Sequence, residues 1–465
     1  MLARNLLGLA CLLLPLTASA DRIDEWARKQ MAANHIPGMI VAVYRHGRAT
    51  KVGTYGLADI EQRVPVKRNT IFEVCSITKQ FTATSILLLQ EDGKLSLDDK
   101  VAKFIPELPK TWTDITLRQL LQHISGLSDD VMNDEFGNGS MEKQLKMLTT
   151  LPTPTPNQAW SYCNTGYWLL GKVIEKASGT SYYTFLQKRI FDPLGMKDTH
   201  PNYQKMVIPN RARGYGWDPT TKQNVNETML TDLLGFGDGG LISTVDDLNL
   251  WSEALKHNKV LKPDSRKLML APAQLEGGDI GWAEGMSSNG YGLGVFLSGT
   301  PEHRVEKHSG GWIDASAQLT RFLDDDVTVV VLTNAGGWAE RPWVGEELGA
   351  LYVKNFHLPD WKSTTTDSEF HATLTKFIEA GVAKKVDASV TSDALAKQMT
   401  AAPDALAAFL KPLDPKSLQL VQKIPQGKRT LYLYRTSPSS ILCIERDASG
   451  KINDLTPVAI PTILP

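Results

Sequence analysis

Apolar and polar residues alternate in two different periods along this chain, and the periods predict its helices and strands. Apolar side chains that recur every three or four positions indicate helices, whereas short extended apolar runs between turn residues indicate strands. A helix and a strand pair are predicted near both ends of residues 21–357. These elements are a helix at 23–31, strands at 38–44 and 49–56, strands at 315–323 and 327–332, and a helix at 343–356.

Helical patterns dominate the region between these two ends. Residues 81–90 form a mostly apolar run that ends at Gly93, because Gly is the usual residue after the C-terminus of a helix. A second helical pattern covers residues 165–177 and ends at Gly179. The sequence therefore predicts a central helical region between two strand-bearing ends.

The C-terminal part of the chain is predicted to be a separate unit. Residues 358–367 are polar and loop-like, which indicates a linker after a first domain at 21–357. A helical period over residues 368–411 and four strand patterns then predict a small accessory α+β domain at 368–465, whose role stays open. The predicted strands are 417–422, 429–435, 441–446 and 452–458.

Ser76 and Lys79 stand at the start of the central apolar helix, where their spacing places an amine beside a nucleophile. A rise of about 1.5 Å per residue puts the two side chains on one face of the helix, one turn apart. A lysine among buried side chains must be neutral, paired or functional. Ser140 and Lys143 have the same spacing, but Ser140 opens a polar segment and is expected to cap a surface helix.

Two later stretches contain polar groups that can support this pair. Tyr162 and Asn164 lie two residues apart in an extended or turn segment, where residues i and i+2 share a face. His308 follows a predicted strand, and Gly310 and Gly311 come shortly after it. Glycines at a strand end let a ligand approach the backbone closely.

In this order the motifs strongly resemble those of the penicillin-recognising serine hydrolase superfamily. That superfamily includes class C β-lactamases, DD-carboxypeptidases, D-aminopeptidases and related esterases, with the motif order S-x-x-K, Y-x-N and K/H-x-G. The matching residues are Ser76 and Lys79, Tyr162 and Asn164, and His308 and Gly310.

The resemblance covers about residues 22–357 and includes the family-like stretches at 120–127, 239–248 and 291–294. It implies an α+β fold of the β-lactamase/transpeptidase kind. In that fold both ends of the domain combine into one antiparallel sheet flanked by helices, and an all-helical subdomain between them carries the nucleophile.

The resemblance also implies acyl transfer through an acyl-enzyme on Ser76. Backbone N–H groups of Ser76 and Gly311 would stabilise the oxyanion, and Asn164 would hold the substrate amide carbonyl. Lys79 or Tyr162 would take the serine proton, and which of them is the base stays open. No metal or cofactor is implied.

His308 limits the substrate class. β-Lactamases usually carry Lys at this position, a permanent cation for a substrate carboxylate, and the His variant looks more like DD-peptidases and D-aminopeptidases. If His308 binds a carboxylate only when it is protonated, the activity on carboxylate-bearing substrates should fall as the pH rises through about 6.5. A structural histidine at a strand end is the alternative.

Two classes of function therefore remain open. The first is a secreted serine hydrolase acting on D-amino-acid peptides, amides, esters or β-lactams, with a small-molecule or peptide substrate that includes peptidoglycan fragments among the candidates. The second is a non-hydrolytic penicillin-binding sensor or peptidoglycan-binding protein that is acylated without turnover.

Charge and the N-terminus bear on partners and location. A formal net charge of −1 gives no basic surface for nucleic acid. Residues 1–20 combine Arg4, an apolar stretch and a small-residue cleavage site, which predicts a secretory signal peptide and a periplasmic or secreted protein. The apolar stretch is too short for a transmembrane segment, and the oligomeric state is not predicted.

Cysteine usage leaves one question open. Signal-peptide cleavage would leave Cys75, Cys163 and Cys443, so at least one thiol stays free unless chains pair. A bridge between Cys75 and Cys163 is conceivable in an oxidising compartment, but two independent buried thiols are favoured.

Overall fold

The structure, a computed structural model, describes most of the chain. The predicted signal peptide, Ser140 and linker residues 358–366 lie outside the described residues, so the predicted domain division stays a prediction. None of the helices in the described part has the length and hydropathy of a membrane span. The described residues are 22–129, 141–151, 153–203, 205–227, 236–275, 278–279, 290–336, 343–357, 367–426, 429–437 and 440–459.

The α-helices lie mainly in the middle and in the C-terminal part of the chain. Side-chain caps fix several of their starts: Thr116 forms a capping box with Gln119, and Thr244 accepts a hydrogen bond from the Asp247 N–H. The helices are α1 (22–33), α2 (Thr78–Glu91), α3 (Leu117–Leu121), α4 (Met141–Leu148), α5 (Asn164–Ser178), α6 (Tyr182–Leu186), α7 (Asp192–Leu194), α8 (Val245–Lys256), α9 (Pro263–Met269), α10 (Val344–Gly349), α11 (Ser368–Val382), α12 (Asp393–Ala401) and α13 (Pro403–Leu410).

The strands are distributed over residues 38–333 and return in the C-terminal part. They are β1 (Gly38–Arg45), β2 (Arg48–Asp59), β3 (Val64–Pro65), β4 (Phe72–Glu73), β5 (His200–Pro201), β6 (Tyr215–Asp218), β7 (Gln223–Asn226), β8 (Leu241–Ser243), β9 (Gln274–Leu275), β10 (Gly278–Asp279), β11 (Gly290–Tyr291), β12 (Phe296–Thr300), β13 (His303–Gly311), β14 (Ser316–Phe322), β15 (Val327–Thr333), β16 (Gln419–Gln426), β17 (Arg429–Ser437), β18 (Ser440–Arg446) and β19 (Ile452–Ala459).

Both ends of the first domain contribute to one eight-stranded antiparallel sheet, in the order β11-β12-β13-β14-β15-β1-β2-β3. The two ends join where β1 pairs with β15, with Met39 opposite Thr333. Alternate residues of β1 enter different cores, because Ile40 packs with α2 whereas Val41 packs with α1 and α10. The α+β architecture implied by the family resemblance is confirmed.

Helix α2 is the central element of the helical region. Its residues from Thr78 to Leu89 are buried, as expected for a helix that is apolar on most sides. The helix predicted at 81–90 is confirmed, and it begins earlier, directly after a 3₁₀ turn at Cys75–Ile77.

The helix predicted at 343–356 is shorter in the structure, where α10 covers Val344–Gly349 and turns follow. Two glycines explain the difference. A Cβ at Gly345 would lie 1.9 Å from Thr320 Oγ1, and one at Gly349 would lie 2.1 Å from the Phe322 ring. The glycines let α10 approach the sheet closely, but they also lower the helix propensity of the segment.

The C-terminal part forms a four-stranded antiparallel meander, in the order β16-β17-β18-β19. One face packs against α11, α12 and α13 around Phe370, Leu374 and Tyr432. The other face packs against Trp343, which lies just before α10. The sequence prediction of helices followed by a meander is confirmed, with strand boundaries within about two residues except at β16, which runs from Gln419 to Gln426.

Candidate active site

Ser76 lies in a tight elbow between β4 and α2. Cys75, directly before it, has a φ of +45°, a left-handed conformation that costs a non-glycine residue about 1–3 kcal/mol. Gly310 on β13 packs against this elbow, since an added Cβ would be 2.3 Å from the Val74 carbonyl oxygen and 3.1 Å from the Ser76 backbone nitrogen. Only glycine lets β13 come this close, and Gly311 follows exposed at the end of the strand.

The Lys79 amine is fully buried and has three hydrogen-bond partners. Its Nζ lies 3.1 Å from Ser76 Oγ, 2.7 Å from Asn164 Oδ1 and 2.8 Å from the backbone oxygen of Asp238. The two carbonyl oxygens can only accept, so each takes one N–H. In the neutral amine the remaining direction is the lone pair, which then points toward the Ser76 hydroxyl and can accept its proton.

Burial lowers the pKa of Lys79 to about 8, although the nearby carboxylates of Asp238 and Asp129 oppose this shift. With this pKa roughly a tenth of the amine is neutral at pH 7, and the neutral fraction rises with pH. An ordinary lysine would hold its proton throughout this range.

The Tyr162 ring lies over the same amine, with its centroid 4.7 Å from Lys79 Nζ. Burial raises the pKa of Tyr162 well above its usual range, and a hydrogen bond with Ser76 opposes the shift only in part. The phenol therefore keeps its proton at neutral pH and is suited to donate a hydrogen bond or a proton.

Asp129 caps the start of α5 and orients Asn164. Its carboxylate accepts from the backbone N–H groups of Asn164 at 2.7 Å and Thr165 at 2.8 Å, and from Asn164 Nδ2 at 3.0 Å. This last contact turns Asn164 Oδ1 toward Lys79.

His123 holds the segment that carries Tyr162. Its backbone oxygen accepts from the Ser161 N–H at 2.9 Å, and its Nδ1 accepts from the Cys163 N–H at 3.0 Å, so both neighbours of Tyr162 are bound to one residue. The imidazole also packs on the Tyr162 ring at 4.4 Å between centroids. Burial, together with the charge of Lys79, lowers the pKa of His123 well below its usual range, so the ring is neutral.

His308 projects toward this cluster from β13, and its ring centroid lies 6.2 Å from that of Tyr162. Its Nδ1 lies 2.5 Å from the Ser309 carbonyl oxygen, which can only accept, so Nδ1 carries the hydrogen. Nε2 is then an acceptor for the Tyr291 hydroxyl at 3.1 Å.

Burial and the charge of Lys79 lower the pKa of His308 to about 3. This shift is opposed to the predicted titration near pH 6.5, which stays a prediction, because burial and a neighbouring amine favour the neutral imidazole. A sequence pattern reports neither this burial nor the neighbouring charge.

A cluster of buried aromatic rings packs against Tyr162 and His308. The rings of Tyr162 and Phe296 are parallel at 6.5 Å between centroids, and Trp160 packs against both Tyr162 and Tyr291. Cys75 and Cys163 are separate buried thiols.

The structure brings Ser76, Lys79, Tyr162, Asn164 and His308 together, with Gly310 and Gly311 beside the elbow. Four further residues were not assigned roles from the sequence: Asp129, His123, Tyr291 and the backbone of Asp238. His123 and Tyr291 lie in the family-like stretches 120–127 and 291–294, and Asp238 directly precedes 239–248. Asp129 follows 120–127 by two residues, with no spacing that marks it as a helix cap.

A family model described as Beta-lactamase matches residues 23–353. Penicillin-binding protein 4* of Bacillus subtilis (strain 168) is 34% identical over 303 residues, which are 60% of this chain and 64% of that protein. The match thus spans less than two thirds of this relative.

Two solved structures are similar to most or all of the chain. The D-amino acid amidase from Ochrobactrum anthropi SV3, complexed with D-phenylalanine, is 25% identical with a TM-score of 0.59 and covers 70% of this chain and 92% of its own. The octameric penicillin-binding protein homologue from Pyrococcus abyssi covers 95% of this chain and 96% of its own, with a TM-score of 0.61 and 20% identity, a likeness of fold.

The matched region contains the complete Ser76 cluster and the sheet that positions it. The chain belongs to the β-lactamase family.

Proposed function

We propose that this enzyme hydrolyses amides and esters of D-amino acids, and that its substrates need no free carboxylate beside His308. The observation that carries the proposal is the hydrogen bonding of His308, whose Nδ1 donates to the Ser309 carbonyl oxygen and whose Nε2 accepts from the Tyr291 hydroxyl. Burial lowers the pKa of this imidazole, which favours its neutral form. The His308 ring itself would then offer a carboxylate neither a positive charge nor a free N–H donor.

The proposed chemistry begins with a proton transfer from Ser76 Oγ to the neutral Lys79 amine while Oγ attacks the substrate carbonyl carbon. The backbone N–H groups of Ser76 and Gly311 stabilise the oxyanion. The carbon–nitrogen or carbon–oxygen bond then breaks, and the leaving group takes a proton through Tyr162. Water attacks the resulting ester on Ser76 and releases the acid. Tyr162 serves as the proton donor because its own pKa is too high for it to be the base.

The comparisons support the substrate class. The amidase was solved with D-phenylalanine, and a second similar structure, 26% identical with a TM-score of 0.56, is a D-stereospecific amidohydrolase from Streptomyces sp.. Residues 1–20 have the pattern of a signal peptide, so we also propose a periplasmic or secreted location.

Substrate profiling tests this proposal. D-phenylalaninamide and D-phenylalanine methyl ester should be hydrolysed with a kcat/KM at least about 10-fold above that for D-alanyl-D-alanine. The leaving group of this dipeptide carries a free carboxylate. The L-enantiomers should be poor substrates. Equal or better hydrolysis of the dipeptide would contradict the proposal.

The pH dependence gives a second prediction. Lys79 must be neutral to act as the base, so kcat/KM for the methyl ester should rise with pH up to about 8 and level off above it. No inflection should occur near pH 6.5. A His308→Gln variant is the matched control, because it removes the imidazole and should keep the same inflection at lower activity. A wild-type inflection near pH 6.5 that disappears in His308→Gln would contradict a neutral His308.

The name of the Bacillus relative favours a second candidate, a penicillin-binding protein that is acylated without turnover. Incubation with a penicillin separates the two. A covalent adduct that persists for hours, with no hydrolysis of the amides or esters, would favour this candidate, whereas many turnovers of the methyl ester favour the proposed hydrolase.

We expect His123 to act as a positioning residue for Tyr162. His123→Ala removes the acceptor for the Cys163 N–H and should lower kcat by about 10- to 100-fold with little change in KM. His123→Asn is the matched variant, because asparagine tolerates the φ of +58° at this position and offers a side-chain acceptor, so it should retain most of kcat. Two variants with the same loss would contradict a role for the hydrogen bond.

A further inference from the structure

A second buried polar cluster lies beside α2, and the proposed chemistry does not use it. Arg266 from α9 and Arg321 from β14 both donate to Glu306 on β13, and all three side chains are buried. Arg321 Nη2 also donates to Gln80 Oε1 at 3.0 Å. Because Gln80 follows Lys79 in α2, the cluster directly contacts the catalytic helix.

This cluster contains more hydrogen-bond donors than acceptors. Gln80 Oε1 accepts from Trp251 Nε1 at 3.0 Å as well as from Arg321, which fixes the orientation of the amide. A buried donor without an acceptor costs roughly 1–3 kcal/mol. Among the described residues, the buried donors of the cluster that lack a partner are Gln80 Nε2, Arg266 Nη1, Arg321 Nε and Arg321 Nη1.

The buried end of the cluster also carries an excess of positive charge, since two guanidinium groups face one carboxylate. Burial and the charge of Arg266 lower the pKa of Arg321 to about 10, and Glu306 is the acid that opposes the shift. Buried charge of one sign is costly unless a counter-ion balances it.

The acidic groups near the cluster's opening to solvent already have cationic partners. Asp326 pairs with Lys256 at 2.5 Å, and Asp324 pairs with Arg304 at 2.6 Å. The carboxylate of Glu253 is turned toward Gly47, where an added Cβ would lie 2.6 Å from its Oε2. These acids therefore do not supply the missing acceptor.

Arg266 and Arg321 line a cavity of 210 Å³, whose other walls include Lys256, Arg304 and Thr328 and the two acids Glu253 and Asp326. A cavity needs only about 10–15 Å³ to hold one water molecule, so this cavity has room for an anion of several atoms. We propose that this cavity is a binding site for a small oxyanion, with inorganic phosphate as the model ligand, held between the Arg266 and Arg321 guanidinium groups. Guanidinium N–H pairs match the oxygens of such anions in geometry and charge.

Thermal unfolding of the full-length protein tests the site. Phosphate added at constant ionic strength, with chloride as the replacing anion, should raise the Tm saturably by about 2–4 °C. If water fills the cavity instead, phosphate and chloride give the same Tm, and the proposal fails.

Variants then locate the effect. Arg266→Met leaves the Arg321–Glu306 pair in place and removes the excess positive charge, so the saturable Tm shift should disappear. Arg189→Met is the control, because it changes an exposed arginine paired with Asp92, and it should keep the Tm shift. A shift that persists in Arg266→Met overturns the proposal.

Two further variants keep the proposal testable if Arg266→Met does not fold. Glu306→Gln increases the positive charge and should lower the apparent Kd for phosphate by about tenfold, and an unchanged or higher Kd contradicts the site. Lys79→Ala should retain the shift, and its loss would place the anion in the active site and overturn the assignment.

Discussion

Ser76→Ala is expected to reduce hydrolysis of the D-phenylalanine ester to the background rate, a loss on the order of 10⁶-fold in kcat. The expectation follows from the geometry, because Ser76 Oγ is the hydroxyl within hydrogen-bond distance of the Lys79 amine and lies beside the glycine end of β13. Without Oγ no acyl-enzyme can form. Steady-state kinetics with the purified variant measure the loss.

Ser140→Ala is the matched control for this variant. Ser140 repeats the spacing of Ser76 to a lysine three residues later, yet we expect it to be a helix cap. A serine that only caps a surface helix takes no part in the proposed chemistry, so its replacement should leave kcat within about twofold of the wild type. Activity that survives Ser76→Ala and falls in Ser140→Ala would identify Ser140 as the nucleophile and contradict the role of Ser76.

Lys79→Ala and Tyr162→Phe should each lower kcat by about 10²-fold or more, because one removes the base and the other the proton donor. The double variant should be little slower than the slower single variant. The reason is that the amine and the phenol share one proton path to Ser76, so either change already interrupts it.

The double-variant kinetics decide whether the two side chains form one unit. Losses in kcat that multiply would mean that Lys79 and Tyr162 act independently. Circular dichroism of each variant is the control for folding, because Lys79 also bonds to Asn164 and to the Asp238 backbone.

Much of the fold followed from local patterns. The apolar run at 81–90 predicts α2 because a helix without a polar face must be buried, and short apolar runs separated by turn residues predict the pairs β1–β2 and β14–β15. The family resemblance supplied the joining of β1 with β15, which a local pattern does not encode. The end of α10 at Gly349 depends on how closely the helix approaches Phe322, so it was missed.

Only some residues of the candidate site could be predicted from the sequence. Ser76, Lys79, Tyr162 and Asn164 stand in short motifs, so spacing points to them. Asp129 and His123 act through contacts between residues about 35 to 40 positions apart, and no spacing rule predicts such contacts. The charge state of His308 depends on its burial and on Lys79, which lies on another element.

Trapping of the acyl-enzyme tests the central claim most directly. Wild-type enzyme is mixed with excess D-phenylalanine methyl ester, quenched with acid during the first turnovers, and digested with trypsin for mass spectrometry. The account predicts a phenylalanyl group on the peptide at 69–79, which fragmentation assigns to Ser76 and not to the neighbouring Cys75. An acyl group on Cys75 or on another peptide would contradict it.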